Sequence, residues 1–338
     1  MGTAPFSQPE TCTPERLRER IAEHVGTDRV PRTINIITDT SDFYRIDYDD
    51  VVVLNQRPYL IRNNEREGRF GIDEQQKFWV KRAIDLEDGS TKIIKLTFLE
   101  RFNANVGDLT FECYRSPKKE ARILDLVRGN SRFMQGLSTQ DTSGNVVRII
   151  DYIQGKTLAD SVLTMGSSHE DYFAHHLPSV LDEFIDLVRA IKLLHDHGEI
   201  HGDIRRDHAI RDKRSGLCRW IDFDFGYFHT ESRFGYDLFS LGNILVYLVA
   251  RGDVTVQELR KSAPEIAAGL TPADVNIIFN NRLANLKKVY PYIPKQLNAI
   301  LLHFAAGAEV FYEHTEELLA DLEAARSLLA EHRFGGLT

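Results

Sequence analysis

The stretches IHGDIRRDH at residues 200–208 and WIDFD at residues 220–224 carry the strongest chemical signal in this chain. The first follows a long helical pattern of apolar residues, and the second reads as the end of a strand. Asp203 lies in the first stretch and Asp222 in the second. Two aspartates on such loops suit phosphoryl transfer, because one can orient an attacking hydroxyl while the other holds Mg²⁺ on nucleotide phosphates. Arg205 could neutralise charge on the transferring group.

The composition indicates a globular protein of two lobes. The chain has 338 residues, which is more than one hydrophobic core usually supports. Its 50 acidic and 42 basic residues give a net charge of −8, which argues against a broad nucleic-acid surface. Cys12, Cys113 and Cys218 are widely spaced, so neither a zinc ribbon nor a disulfide scaffold is expected.

No stretch of the sequence is typical of a membrane segment. The longest apolar run, at residues 238–250, is interrupted by Ser240, Gly242 and Asn243 and is too short to span a bilayer. The first residues lack the apolar core of a secretory signal. We therefore expect a cytoplasmic protein without membrane association.

Strand patterns dominate the first half of the chain and helical patterns the second. Periodicity predicts a helix at residues 14–24 and strands at 51–54, 59–61, 78–83, 92–98 and 146–153. A long helix is predicted from Pro178, followed by a hairpin that pairs residues 208–210 with 217–223. Further helices are predicted to begin at Asp237, Thr255, Thr271, Pro294 and Thr315.

The segment KLLHDHGEIHGD, residues 192–203, resembles the catalytic loop of the protein kinase-like superfamily and the helix before it. The resemblance implies that Asp203 is the catalytic aspartate, that Arg205 replaces the catalytic-loop lysine and that Asp222 binds the metal. Residues 236–242 are similar to the central helix of the large lobe. Residues 312–322 are similar to the last helix of bacterial protein kinases.

The N-terminal half extends the resemblance. Lys95 in IIKL looks like the strand lysine that holds the nucleotide phosphates, and Glu120 like its helix partner. Asp151 and Ile153 resemble the hinge that contacts the nucleotide. If Lys95 is buried between its apolar neighbours, it needs a carboxylate or phosphate partner, and the alternative is a solvent-facing lysine on a half-buried strand. For Glu120, a solvated helix face remains an alternative.

The resemblance implies an α+β, bilobal kinase-like fold with ATP between the lobes. We predict an N-terminal extension at residues 1–50, a β-rich N-lobe at 51–153 and a helical C-lobe at 154–338. The predicted function is ATP- and Mg²⁺-dependent phosphoryl transfer to a hydroxyl, most simply by a serine/threonine protein kinase. The predicted partners are ATP and a protein or small-molecule hydroxyl acceptor.

Four features depart from the family pattern. The expected phosphate-gripping loop falls on residues 73–78, which contain no glycine, while the glycines of GRFG at 68–71 lie too far upstream. His208 stands where the family has a metal-binding Asn, and Mg²⁺ prefers oxygen ligands. Asp224 or Asp207 could supply that oxygen, and DFG at 224–226 makes Asp224 the second candidate for the metal aspartate.

The other two departures from the family pattern concern the residues expected to bind the phosphate acceptor. Only 15 residues separate Asp222 from Asp237, too few for the usual activation segment, and Gly202 replaces an arginine. His-Gly-Asp resembles small-molecule phosphotransferases such as aminoglycoside and choline kinases. The alternatives to a protein kinase are therefore a small-molecule kinase and a pseudokinase that acts as a nucleotide-sensing or scaffold module.

Overall fold

The computed structural model describes residues 12–69, 72–106, 109–228 and 232–334, which form a mixed α+β structure. The strands of this part of the chain are β1 (Ile36–Ile37), β2 (Val51–Leu54), β3 (Arg57–Arg69), β4 (Ile72–Asp85), β5 (Thr91–Lys95), β6 (Arg101–Val106), β7 (Leu109–Arg115), β8 (Gly136–Gln140), β9 (Val146–Asp151), β10 (Gly155–Thr157), β11 (Ala209–Asp212), β12 (Cys218–Trp220) and β13 (Phe225–Phe228). The helices are α1 (Pro14–Val25), α2 (Pro117–Leu126), α3 (Leu158–Leu163), α4 (His169–His175), α5 (Leu177–Asp196), α6 (Gly235–Ala250), α7 (Val256–Ser262), α8 (Pro264–Ala268), α9 (Lys295–Leu302) and α10 (Thr315–Phe334).

The chain divides into two compact units. The first contains the chain up to Leu99 together with Ser116–Gly129 and Met134–Tyr152. The second contains Glu100–Arg115, Asn130–Phe133 and the chain from Ile153 onward. Residues 12–50 therefore belong to the first unit, where β1 pairs with β2.

A seven-stranded sheet organises the first unit, in the order β1-β2-β3-β4-β5-β9-β8. Val52, Ile61 and Ile94 belong to the apolar cluster on one face, and Val51 and Leu60 belong to the cluster that includes Leu17 and Ile21 of α1. The alternation follows from the period of two in strands. It confirms the predicted strand at Val51–Leu54 and the predicted helix α1.

The hairpin of β3 and β4 is unusually long, with strands of 13 and 14 residues. Gln75, Gln76 and Lys77 of β4 pair with Glu67, Arg66 and Glu65 of β3. Residues 73–78, where the family spacing places the phosphate-gripping loop, therefore belong to a paired strand. The glycine at position 71 lies outside the described residues.

The second unit is built around α5. The predicted apolar face of this helix is confirmed, since its members are all buried: Val180, Leu181, Phe184, Ile185, Leu187, Val188, Ile191 and Leu194. The unit also contains two three-stranded sheets, β10-β11-β12 and β13-β7-β6. No helix in the described ranges combines the length and the apolar character that crossing a bilayer requires.

Two expectations about this unit need correction. A helix from Thr271 is not formed, because Pro272–Asp274 make only a 3-10 turn and the chain then bridges Val275 to Leu283. Strands β6, β7 and β13 were not predicted. Alternation at Phe102, Ala104 and Val106 was the available signal for β6.

Candidate functional site

The loop that contains Asp203 is held in place by Asp237, a fully buried residue in the first turn of α6. Its carboxylate accepts hydrogen bonds from the backbone N–H groups of His201 (2.7 Å) and Gly202 (2.8 Å). It also contacts Nε2 of His195 at 3.1 Å. Burial alone would raise the pKa of Asp237, but the contacts with His195 and the loop lower it below its usual value. Sequence reasoning placed Asp237 on a helix and missed this role.

The absence of a side chain at Gly202 has a structural reason. Gly202 has a φ of +84°, a conformation that disfavours other residues. A Cβ at this position would lie 1.9 Å from the carbonyl oxygen of Phe225. The close approach of β13 therefore explains why position 202 is a glycine and not the arginine that the resemblance implied.

His208 lies between the carboxylates of Asp203, the predicted catalytic residue, and Asp222, the predicted metal ligand. Its Nδ1 is 2.7 Å from the backbone carbonyl oxygen of Asp203 and 3.7 Å from Asp203 Oδ2. Its Nε2 is 3.8 Å from Asp222 Oδ2. One ligand atom from each of the three residues lies within 4.8 Å of the others, so the structure brings together a set that could hold a metal ion.

Asp222 adopts an uncommon backbone conformation, with a φ of +62°. It follows β12, whose predicted extension to Phe223 is wrong because the left-handed residue interrupts the strand. The backbone N–H of Ile221 donates to the carbonyl oxygen of His208 at 3.0 Å, which fixes Asp222 beside the imidazole. Strained residues of this kind cluster at functional sites.

Asp224 has a different environment, although it is only two residues away. Nη1 of Arg115 donates to both oxygens of Asp224, at 2.6 and 2.7 Å, and both side chains are buried. Burial would lower the pKa of Arg115, but Asp224 and Asp222 raise it overall. Asp224 is thus ion-paired with Arg115, and its role as a metal ligand stays a prediction. No sequence signal identified Arg115.

Arg205, the other predicted catalytic residue, makes a two-point contact with Asp207. Its Nε and Nη2 donate to the two carboxylate oxygens at 3.0 and 2.8 Å. Burial would raise the pKa of Asp207, but His208 and Arg205 lower it below its usual value. The arginine is therefore positioned by Asp207, the residue that the sequence also suggested as an oxygen donor for the metal.

In the first unit, Lys95 and Glu120 form the predicted ion pair. Lys95 Nζ donates to Glu120 Oε1 at 2.7 Å, and both residues are buried. Arg148 of β9 donates from Nε to the other oxygen at 2.9 Å. The alternative that Glu120 lies on a solvated helix face is wrong, because α2 packs this residue against β5 and β9. Arg148, a charged residue within an apolar strand pattern, was a signal that sequence reasoning missed.

The predicted hinge residues fall at the end of β9. Asp151 pairs through its carboxylate with Lys92 at 2.6 Å, and its backbone N–H donates to the carbonyl oxygen of Gln135. Ile153, half-buried, is the first residue of the second unit's longest segment. A nucleotide contact by either residue stays a prediction.

A cavity of about 630 Å³ in the first unit does not coincide with any predicted site residue. Its wall is formed by aromatic, amide and charged side chains: Tyr44, Ile46, Asp47, Tyr48, Arg62, Asn63, Asn64, Arg66, Gln76 and Phe78. The predicted chemistry therefore rests on the side-chain clusters described above.

Comparison of the chain with models of known protein families finds no match, and comparison with curated protein sequences finds none either.

Proposed function

We propose that this protein is an ATP-dependent phosphotransferase with a bilobal protein kinase-like fold. The observation that carries the proposal is the convergence of Asp203, His208 and Asp222 on a loop system anchored by buried Asp237. Two carboxylates and an imidazole within 4.8 Å of one another are a suitable set for a divalent cation. Such an ion neutralises the charge of the transferring phosphate.

In this proposal Asp203 orients the acceptor hydroxyl and accepts its proton. The negative charge of Asp203 already acts on its neighbours: burial and this carboxylate raise the pKa of the Cys113 thiol to about 11. Asp222 holds the divalent ion. Arg205, fixed by Asp207, supplies positive charge to the phosphoryl group.

Lys95 belongs to the first unit. Its ammonium is held by Glu120, while Arg148 occupies the second oxygen of the same carboxylate. An ammonium held this way has a defined position, as required of a group that binds phosphate oxygens. We assign Lys95 to the nucleotide phosphates.

The acceptor is a hydroxyl, and two classes of molecule are candidates. The helix at residues 315–334 favours a serine/threonine protein kinase by its resemblance to bacterial members. A small-molecule kinase is favoured by β13, which pairs with Glu112–Arg115 of β7 only three residues after Asp222. A strand held in this way leaves little chain for a peptide-docking segment.

Radiolabelled phosphate transfer from ATP tests the proposal. We expect wild type to release or transfer the γ-phosphate, and Asp203→Asn to lose at least about a hundredfold in rate. Asp196→Asn is the matched control, since Asp196 is an exposed residue of α5 that pairs with Lys192.

Equal rates for wild type and Asp203→Asn would refute the catalytic role of Asp203. ATP-dependent thermal stabilisation without any transfer would favour the nucleotide-sensing or scaffold module instead. Absence of stabilisation at millimolar ATP would refute nucleotide binding altogether.

A further inference from the structure

We propose that His208 is itself a metal ligand and that it makes this site select Mn²⁺ over Mg²⁺. The inference rests on the proposed function only in using the same site, because metal binding can be measured without phosphate transfer. His208 is the residue by which this chain departs most clearly from an all-oxygen metal site.

The hydrogen bonding of His208 determines which nitrogen faces the metal position. A backbone carbonyl oxygen can only accept, so the 2.7 Å contact with Asp203 O requires the proton on Nδ1. Nε2 is then the nitrogen with a lone pair, and it faces Asp222 Oδ2. Metal-binding histidines are usually oriented by such a bond from the other ring nitrogen.

The distances between the donor atoms fit a shared ion. Two ligands that each lie about 2.1 Å from one octahedral ion are about 3.0 to 4.2 Å apart. The separation of His208 Nε2 and Asp222 Oδ2, 3.8 Å, exceeds a hydrogen bond and lies within about 1 Å of the separation of two adjacent ligands. Because His208 is buried and its Nδ1 is held by the carbonyl oxygen of Asp203, its ring already directs Nε2 toward Asp222 and little rearrangement is needed for the two residues to bind one ion.

The chemical type of the metal-ligand atoms determines which ion the site binds more tightly. Mg²⁺ strongly prefers oxygen and binds poorly to imidazole, whereas first-row transition ions accept nitrogen. Mn²⁺ combines that tolerance with an affinity for carboxylates and with octahedral coordination. The imidazole of His208 beside the carboxylate of Asp222 therefore favours Mn²⁺, and an asparagine at position 208 would remove the preference.

Electron paramagnetic resonance of Mn²⁺ tests the inference on the full chain without nucleotide. We expect Mn²⁺ to bind wild type at least about tenfold more tightly than Mg²⁺, measured by competition. Pulsed measurements should show a ¹⁴N coupling from a directly bound imidazole, a readout that requires no variant. Asp196→Asn should leave both results unchanged.

The variant His208→Asn should lose the ¹⁴N coupling and about tenfold in Mn²⁺ affinity, while its Mg²⁺ affinity stays the same or rises. Wild type without a ¹⁴N coupling, or with equal affinity for the two ions, would overturn the inference. Phosphate transfer with Mg²⁺ in such a protein would leave the proposed function standing. Selective Mn²⁺ binding without transfer would instead support the inference and refute the proposed activity.

Discussion

Two buried lysines lie on opposite faces of the seven-stranded sheet, and their environments differ. Lys95 shares its face with its register partner Val80 and donates to the Glu120 carboxylate at 2.7 Å. Lys81 shares the other face with Ile94 and donates to two neutral oxygens, the carbonyl of Ile46 at 2.5 Å and Oδ1 of Asn64 at 2.7 Å.

The contrast shows how the same residue type is used in two ways. Burial lowers the pKa of Lys81 to about 8, although the charges of Asp47 and Asp50 act in the opposite direction. At Lys95 a carboxylate in direct contact favours the charged form. Burial alone therefore does not identify a candidate phosphate-binding lysine, because the group that accepts the ammonium's hydrogen bond must also be known.

The largest expected effect comes from removing the partner of Lys95. Glu120→Ala leaves the ammonium of Lys95 and the guanidinium of Arg148 buried without their shared carboxylate. Breaking such a buried pair costs about 3–5 kcal/mol of the free energy of unfolding. Urea titration followed by far-UV circular dichroism measures the loss.

The matched control is Asp151→Asn, which removes the exposed partner of Lys92 in the same sheet. Exposed pairs contribute less than about 1 kcal/mol. Similar losses for Glu120→Ala and Asp151→Asn would contradict the structural importance assigned to the buried pair.

The second prediction concerns Lys81 and pH. The folded protein releases the Lys81 proton near pH 8, whereas the unfolded chain keeps it until about pH 10.5. The unfolded state thus binds more protons in this interval, so Lys81 makes stability rise with pH. The increase should approach about 2–3 kcal/mol at pH 10.5.

Because other groups titrate in the same interval, the quantity to measure is the difference in unfolding free energy between wild type and Lys81→Met. This difference should shift in favour of wild type as the pH rises from 8 to 10.5. A difference that stays constant with pH would show that Lys81 has an ordinary pKa.

The smallest predicted effect concerns the contribution of the two lysines to ATP affinity. Lys95→Met should weaken ATP binding by at least about tenfold, equivalent to about 1.4 kcal/mol. Lys81→Met, a change of the same size on the opposite face, should alter ATP affinity less than about threefold. Isothermal titration calorimetry measures both, and equal losses would argue against the assignment of Lys95 to the phosphates.

Local patterns were sufficient for much of the fold and for part of the site. Apolar spacing predicted α1, α5 and the strand at Val51–Leu54, because helices and strands that pack on a core repeat their apolar residues at fixed intervals. The resemblance to kinases predicted an ion pair between Lys95 and Glu120, and their contact confirms it. The extent of β4 over residues 73–77 was not predicted, since its pairing depends on β3 rather than on its own pattern.

The sequence by itself determined which chemical groups are present and in what order: a lysine in an apolar strand, a glutamate on the next helix, and aspartates on two later loops. Only the tertiary structure determines which partner each group contacts. Asp222 and Asp224 read alike in WIDFD, but Asp224 accepts two hydrogen bonds from Arg115, which comes from a strand 109 residues earlier, whereas Asp222 lies beside His208. Such assignments depend on contacts between distant segments, whose charges and hydrogen bonds no local pattern encodes.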